Sequence, residues 1–321
     1  MLKSKNIQSW QKQINNFGAS NTPFLFIIDY TMENPQCFAL SDLPKSIQYA
    51  FHEHNNIVDR VSVKPFPKDF QEYYIGFEKL QNYLHRGDSY LVNYTVETPI
   101  ESGISLQEIF EKSVAPYKLL VNDSFVVFSP ETFVTIDDTG KIATFPMKGT
   151  IDADVADAKA EILTNKKEMA EHATVVDLLR NDLSKVATNV RVEDYRYIQE
   201  VSTSNGKLLQ VCSKITGQLP ENWKKNIANI LLEMLPAGSV TGAPKMKTLE
   251  IISAIETHQR GYYTGIFGIF DGQKLDSGVM IRFIEQRDGK LYYKSGGGVT
   301  TQSIAEDEFN ELIQKIYVPI G

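Results

Sequence analysis

Phe133-Val134-Thr135-Ile136-Asp137-Asp138-Thr139-Gly140-Lys141 is the stretch that sets the architecture. Four β-prone residues run into an Asp-Asp-Thr-Gly signal, which suits a tight reversal and therefore an antiparallel hairpin. The same arrangement recurs around Arg287-Asp288-Gly289, with β-rich runs at 279–285 and 291–294 on either side. Further short runs at 24–28, 90–96, 125–128 and 263–270 also predict strands. Helical periodicity predicts helices over 70–85, 159–186, 222–234 and 305–316. In the second, Met169, Val175, Val176, Leu179 and Leu183 form a core-facing stripe. In the last, the stripe is Ala305, Phe309, Leu312, Ile313 and Ile316, and Ser303 three residues before Glu306 predicts a capping box at its start. Strands and helices interleave without a repeat, a low-complexity tract or a linker. The expectation is an α+β protein with mostly antiparallel strands, one domain over 1–321, whose least patterned part is residues 1–70.

The 321 residues carry 33 Lys and Arg against 40 Asp and Glu, a formal charge of −7, which excludes a basic nucleic-acid binder. Gly (20) and Pro (13) are near ordinary usage, as a globular chain requires. Two cysteines, Cys37 and Cys212, are too few for a disulfide scaffold or a four-thiolate zinc site, and point to a reducing compartment. Lys3 and Lys5 are followed by Asn6, Gln8, Gln11 and Gln13 where an export signal needs an apolar run. The longest apolar runs are strand-sized, far below the roughly 20 residues that span a bilayer. A cytoplasmic protein that engages neither membrane nor nucleic acid is expected.

Four features could carry chemistry. Glu168 and Glu171 lie three apart on one predicted helix, with His172 beside them, and Glu308, Glu311 and Lys315 repeat the pattern on the last. Such paired carboxylates suit a hard cation such as Mg²⁺, which keeps several waters, but they also occur on ordinary solvated helix faces. The glycine-rich stretches from Pro236 to Lys245 and from Ser295 to Gly298 read as tight turns whose backbone N–H groups can cradle a carboxylate. Neither is a P-loop, and no dinucleotide fingerprint occurs. Lys148, in Phe145-Pro146-Met147-Lys148-Gly149-Thr150, is either a solvated surface group or a nucleophile whose environment keeps it neutral. Glu131, in Ser129-Pro130-Glu131, is either a turn residue or a general acid, and His172 reads best as structural.

Taken together, these segments resemble the chorismate-utilising enzymes, most closely the aminodeoxychorismate synthase component I branch. The resemblance is strongest over 70–318. It rests on Gly87-Asp88 through Asn93, Ser129-Pro130-Glu131, Pro146 to Thr150, Lys167-Glu168 and Glu171-His172 running into Asp177 to Leu183, and Gly238 to Lys245. It continues through Arg260 to Gly265, Ile281-Arg282, Gly296-Gly297-Gly298, and Glu308, Glu311 and Lys315. The resemblance implies two packed, mostly antiparallel sheets flanked by helices. It implies Mg²⁺ held by Glu171 and Glu311, with Glu168 and Glu308 as neighbouring carboxylates. Tyr263, Arg282, Gly298 and Lys315 would hold the substrate carboxylates, with Gly149, Thr150, Thr241 and Gly297 completing the substrate-binding set.

In that branch Lys148 resembles the nucleophile that attacks C2 of chorismate as the C4 hydroxyl leaves, and Glu131 the acid that protonates it, before ammonia displaces the lysine. The implied activity is amination of chorismate to 4-amino-4-deoxychorismate for p-aminobenzoate and folate synthesis. Anthranilate synthase component I and a non-catalytic chorismate-binding subunit are the alternatives. Leu91 stands where the branch usually has glutamine and where water-adding relatives have lysine. Gln210 replaces a histidine that many members carry ahead of Ser213. No glutaminase is encoded, so the resemblance also implies a separate glutamine amidotransferase subunit as the source of ammonia.

Overall fold

The computed structural model describes residues 5–53, 61, 63–203 and 206–319. Its chain forms two compact units. Unit one comprises Met1–Pro44, Glu131–Ser239 and Gly265–Val279, and unit two comprises Lys45–Pro130, Val240–Thr264 and Met280–Gly321. Neither is a continuous stretch of sequence.

In chain order, α1 (Lys5–Ala19), β1 (Phe24–Ile28) and β2 (Gln36–Ala39) come first, in unit one. The chain then gives unit two β3 (Ile47–Phe51), β4 (Val63–Pro65), α2 (Phe70–His85), β5 (Leu91–Ser102), α3 (Leu106–Lys112), β6 (Tyr117–Val121) and β7 (Phe125–Ser129). Unit one resumes with β8 (Thr132–Ile136), β9 (Lys141–Thr144), β10 (Met147–Asp152), α4 (Ala158–Thr164), α5 (Lys166–Ser184), β11 (Thr188–Thr203), β12 (Gly206–Gln218) and α6 (Ile227–Met234). Unit two takes β13 (Gly242–Ala243) and α7 (Lys245–Ile255), and unit one takes β14 (Ile266–Phe270) and β15 (Leu275–Val279). The chain finishes in unit two with β16 (Phe283–Arg287), β17 (Lys290–Val299) and α8 (Ala305–Gln314).

Each unit is built on one sheet. The first runs β10-β12-β9-β8-β15-β14-β1-β2 with β11 beside β12, and the second runs β13-β5-β17-β16-β7-β6-β3 with β4 beside β5. Among the described residues every pairing is antiparallel, for instance Phe24↔Phe270 and Phe283↔Lys294. Two antiparallel sheets flanked by helices are therefore the fold, as the hairpin signals and the resemblance implied.

The deciding hairpin closes as its sequence dictates. Asp137 Oδ1 accepts from the Thr139 and Lys141 backbone N–H groups and from the Thr139 hydroxyl. Burial opposes ionisation of this carboxyl, but those donors outweigh it and hold the group below the usual carboxylate range. Gly140 follows at φ +78°, and a Cβ there would lie 2.9 Å from the Trp223 ring. In unit one β1 is buried along its whole length, and Phe17 of α1 stacks on its Phe24 with ring centroids 5.8 Å apart. In unit two α2, α7 and α8 pack through Tyr73, Phe77, Leu80, Ile251 and Leu312 onto Val92 and Tyr94 of β5.

Several expectations need correction. The single helix over 159–186 is two, because Asn165 adopts ψ 111° and turns its side chain to cap the Glu168 N–H of α5. Val175, Val176, Leu179 and Leu183 are buried, but Met169 of the same stripe is exposed. The helix over 222–234 opens as a 3₁₀ turn, Trp223–Asn226. The run 279–285 breaks between β15 and β16, where Arg282 takes φ +53°, and 263–270 enters its strand only at Ile266. Ser303 does not form the capping box, since Ile304 is the residue before α8 and the Ser303 hydroxyl accepts from Thr300 N instead. A capping box forms at α3, between Ser105 and Glu108. Residues Ser295 to Gly298 are not a turn but the interior of β17, paired with Val96 to Asn93. Glycine is needed there for approach, because a Cβ at Gly296 would meet the Tyr94 carbonyl oxygen at 2.7 Å. Among the described residues no helix is long and apolar enough to cross a membrane.

Candidate active site

In unit one the register of β10 against β12 shifts between Met147 and Thr150, and Lys148 and Gly149 sit in that irregularity. Gly149 has φ +92°, and a Cβ there would lie 3.3 Å from Glu168 Oε2. Bulges of this kind re-aim a side chain. Lys148 accordingly reaches α5, where its Nζ pairs with Glu171 Oε2 at 2.8 Å. Glu171 is 7% exposed and Lys148 27%, so the pair is screened from most of the solvent. The sequence-predicted residues Lys148, Gly149, Glu168 and Glu171 thus come together, while Thr150 is exposed and sits opposite Gln210.

Behind this pair, His172 is fully buried and its Nε2 lies 2.7 Å from the Ser213 hydroxyl. Ser213 Oγ also accepts from Arg196 N, and the Arg196 guanidinium donates to the Ile162 and Leu163 carbonyls at the end of α4. Burial, reinforced by the Arg196 charge, pushes His172 down to about 4, so it is neutral and structural, as its sequence context suggested.

Glu131 accepts a hydrogen bond from the Ser239 hydroxyl, and its backbone oxygen accepts from Val279 N. Both residues line a cavity of about 20 Å³ walled by Thr144, Met147, Val175 and Leu179, room for about one water. Sequence reasoning missed Ser239. It stood inside the glycine-rich stretch, but nothing in the spacing connects it to a carboxyl 108 residues away.

In unit two Lys315 ends α8 and bridges two elements. Its Nζ pairs with Glu311 Oε1 at 2.7 Å and donates to the Gly296 carbonyl of β17 at 3.0 Å. A Cβ on Gly297 would lie 3.4 Å from Glu308 Oε2 and 3.7 Å from Lys315 Nζ, so the glycine lets these charged groups close on the strand. Glu308 is buried and Glu311 half exposed.

Arg282 sits with its guanidinium 5.2 Å from the Tyr317 ring, and its buried Nε has no hydrogen-bond partner among the described residues. An unanswered arginine N–H is a natural place for a ligand anion. Tyr263 is buried against Phe283. The buried Thr241 accepts from Asn93 N through its carbonyl, and Asn93 pairs with Gly298 across β5 and β17.

Arg260, quoted above only as part of a motif, braces this corner. Its guanidinium grips Glu256 bidentately and donates to the Val240 and Asn93 carbonyls. Leu91 is buried at the start of β5, opposite Ala243, where it supplies no proton-transfer group.

Among the described residues no three His, Cys, Asp or Glu side chains converge as a ready-made metal cage. Each acidic helix instead offers two carboxylates one turn apart, a hard-oxygen set that leaves most positions to water, and this fits Mg²⁺. Cys37 and Cys212 are free, and burial pushes their thiols up to about 12 and about 11, so neither is a thiolate nucleophile near neutrality.

Residues 37–321 match the family of chorismate binding enzymes. The chain belongs to that family. This chorismate binding enzyme is 47% identical over 327 residues to an uncharacterized PabA-like protein of Haemophilus influenzae, covering 99% of both chains. It is 30% identical over 268 residues to aminodeoxychorismate synthase component 1 of Bacillus subtilis, which covers 79% of this chain and 55% of that one. Among solved structures it superposes with a TM-score of 0.73 on a putative 2,3-dihydroxybenzoate-specific isochorismate synthase of Bacillus anthracis, at 19% identity over 97% of this chain and 87% of that one. Anthranilate synthase component I of Streptococcus pneumoniae gives 0.65 at 24% identity, over 81% and 60%. These two structures share the fold.

Proposed function

We propose that this chorismate binding enzyme is an aminodeoxychorismate synthase component that converts chorismate and ammonia to 4-amino-4-deoxychorismate and water. The observation that carries the reading is Lys148, turned by the β10 irregularity onto the buried carboxylate of Glu171 rather than out to solvent. The resemblance to aminodeoxychorismate synthases supports it.

An ion pair favours the ammonium form of an amine, so the nucleophile has to be freed from Glu171 and give up a proton before it can react. Glu168, Glu171, Glu308 and Glu311 are the carboxylates assigned to Mg²⁺. When bound, the cation would supply positive charge against a substrate carboxylate.

The chain's own groups do the rest. The Lys148 Nζ lone pair forms a bond to C2 of chorismate, both ring double bonds shift by one position (C1=C2 to C1=C6, C5=C6 to C4=C5), and the C4–O bond breaks. Glu131 donates the proton that lets the oxygen leave as water, and the lysine nitrogen sheds one proton. Ammonia then bonds to C4, both double bonds shift back, and the C2–N bond to Lys148 breaks, the proton shed by the new C4 nitrogen balancing the one returned to the lysine. Ser239, hydrogen-bonded to Glu131, holds that carboxyl in place. In unit two Arg282, Tyr263, Lys315, Thr241 and the Gly297-Gly298 backbone are assigned to the substrate's anionic groups. Ammonia is assigned to a separate glutamine amidotransferase subunit.

Incubation of the purified chain with chorismate, Mg²⁺ and ammonium, followed by mass analysis, tests this. A product retaining the enolpyruvyl group and carrying one amine supports it. Anthranilate with free pyruvate identifies an anthranilate synthase, and bound but unchanged chorismate a non-catalytic subunit. Loss of turnover with a chelator, restored by Mg²⁺, supports the metal assignment.

A further inference from the structure

Unit two holds a second cavity, of about 270 Å³, that none of the residues assigned above for chorismate lines. It opens beside the first turns of α2, between that helix, β5, the end of α7 and the middle of α8. Its floor is aromatic. The Tyr73 ring lies 5.4 Å from Tyr94 and 5.1 Å from Phe309, and Tyr73 and Tyr94 are both buried. Helix α2 carries glycine at position 76, where a Cβ would fall 2.0 Å from the Tyr94 hydroxyl, so the phenol can rise to the helix backbone at the cavity wall. Burial, with Glu256 adding to it, pushes that phenol up to about 12, so it stays a neutral hydrogen-bond donor.

The charges around the mouth are unbalanced. Glu97 lines the wall, but Arg287 already answers it at 2.7 Å. Of the remaining charged lining residues, Lys68 makes only a 3.4 Å hydrogen bond to Thr257, and among the described residues neither Lys68 nor Lys79 meets a carboxylate. Among the lining residues at the rim one carboxylate, Glu72, stands against these two ammonium groups, while Glu256, Glu308 and Glu311 act on the tyrosines of the floor from outside the lining. A concave site with an aromatic base, a phenol donor and net positive charge at its rim selects a flat anion. The volume lies just under the ~300–1,000 Å³ range of drug-sized pockets, which suits a ligand of one ring.

We propose that this cavity is a second small-molecule site that takes a compact aromatic carboxylate, its ring against Tyr73, Tyr94 and Phe309 and its carboxylate between Lys68 and Lys79. It is independent of the reaction proposed above. Phe309 and Leu312, which the ligand would touch, lie on the same helix as Glu308 and Glu311.

The test is a titration of methyl-labelled protein (Ile, Leu and Val) with benzoate, followed by NMR. Ile75, Val96, Ile255 and Leu312 line the cavity and serve as reporters. Saturable shifts at these methyls are expected. Affinity should fall about tenfold for benzamide, and about tenfold for benzoate on Lys68→Ala/Lys79→Ala, the loss of about one good charge contact. Both lysines are exposed, so the double variant keeps the wild-type spectrum without ligand. The proposal is overturned by an absence of saturation, by saturable shifts confined to methyls outside the cavity, or by unchanged affinity for benzamide or in the double variant.

Discussion

Replacing Arg260 with alanine should be among the most costly single changes in unit two. Arg260 and Glu256 have side chains 2% and 3% exposed, and the guanidinium meets the carboxylate at 2.7 and 2.9 Å. Removing the arginine leaves Glu256 buried with only Thr95 N and Thr95 Oγ1 donating to it, along with a weakly basic neighbour in His258. An uncompensated buried charge costs ~3–5 kcal/mol. The Val240 and Asn93 carbonyls lose their donors at 2.8 and 2.7 Å. Leaving such groups unsatisfied adds roughly 1 kcal/mol or more. The expected loss is ~4–6 kcal/mol, a large part of the ~5–15 kcal/mol that holds an ordinary domain together.

The partner variant Glu256→Leu strands the arginine instead, while Glu256→Leu/Arg260→Ala removes both charges. The double variant should therefore be more stable than either single one predicts, with a coupling of at least ~2 kcal/mol. Arg260→Lys should not rescue, because a point ammonium cannot span both carboxylate oxygens and the two carbonyls. Urea unfolding followed by circular dichroism reads all four. A loss below ~1 kcal/mol for Arg260→Ala, or no coupling in the cycle, would refute the reasoning.

Three further outcomes are expected. Lys148→Ala should lower amination of chorismate by at least ~100-fold while leaving chorismate binding within a few-fold, and undiminished turnover would remove the covalent step. His172 and His258 are both pushed down to about 4, chiefly by burial, whereas the unfolded chain titrates them near 6.5. The unfolded state then binds more protons between those values, so stability is full above about pH 6.5 and is lost as pH falls toward 4. Each contributes up to ~3 kcal/mol, and a flat unfolding midpoint between pH 7 and 5 would contradict this. Gly296→Ala should destabilise by ~1–3 kcal/mol, since its Cβ would meet Thr95 Cγ2 at 2.6 Å. Gly103→Ala, with open space around it, should stay within ~0.5 kcal/mol in the same thermal scan.

What the sequence made legible depended on how local the cause was. Helix α2 lies at 70–85 as read, because its apolar stripe repeats cleanly and Asp69 caps it. Strand β1 and both turn-marked hairpins were equally plain. Asn165 was not read as a break, since the apolar spacing runs on through it and only its ψ angle and side-chain cap divide α4 from α5. Ser295 to Gly298 misled because glycine signals a turn locally, whereas here it serves contact with β5, a strand about 200 residues earlier. Helix α7 and the β11–β12 hairpin were missed: α7 begins after a Gly-Ala-Pro stretch that reads as a loop, and β11 is largely polar.

The candidate site divides the same way. Glu168 with Glu171, and Glu308 with Glu311, were visible from helical spacing alone. The Ser239 contact to Glu131 and the reach of Arg260 to the Val240 and Asn93 carbonyls join residues that no spacing rule relates. Gly149 was noticed as part of a motif, but its purpose, keeping a side chain out of the way of Glu168, needs three dimensions.

The shuttling of the chain between its two units bears on how it is made. Strand β1 emerges from the ribosome early, but its partner β14 is about 240 residues further on. At ~5–20 residues per second, five fully apolar residues wait on the order of tens of seconds for the neighbour that completes their sheet. During synthesis α1 and β2 are the shelter available to them from the same unit, which makes the amphipathic first helix a guard against misassociation as well as a piece of the finished core.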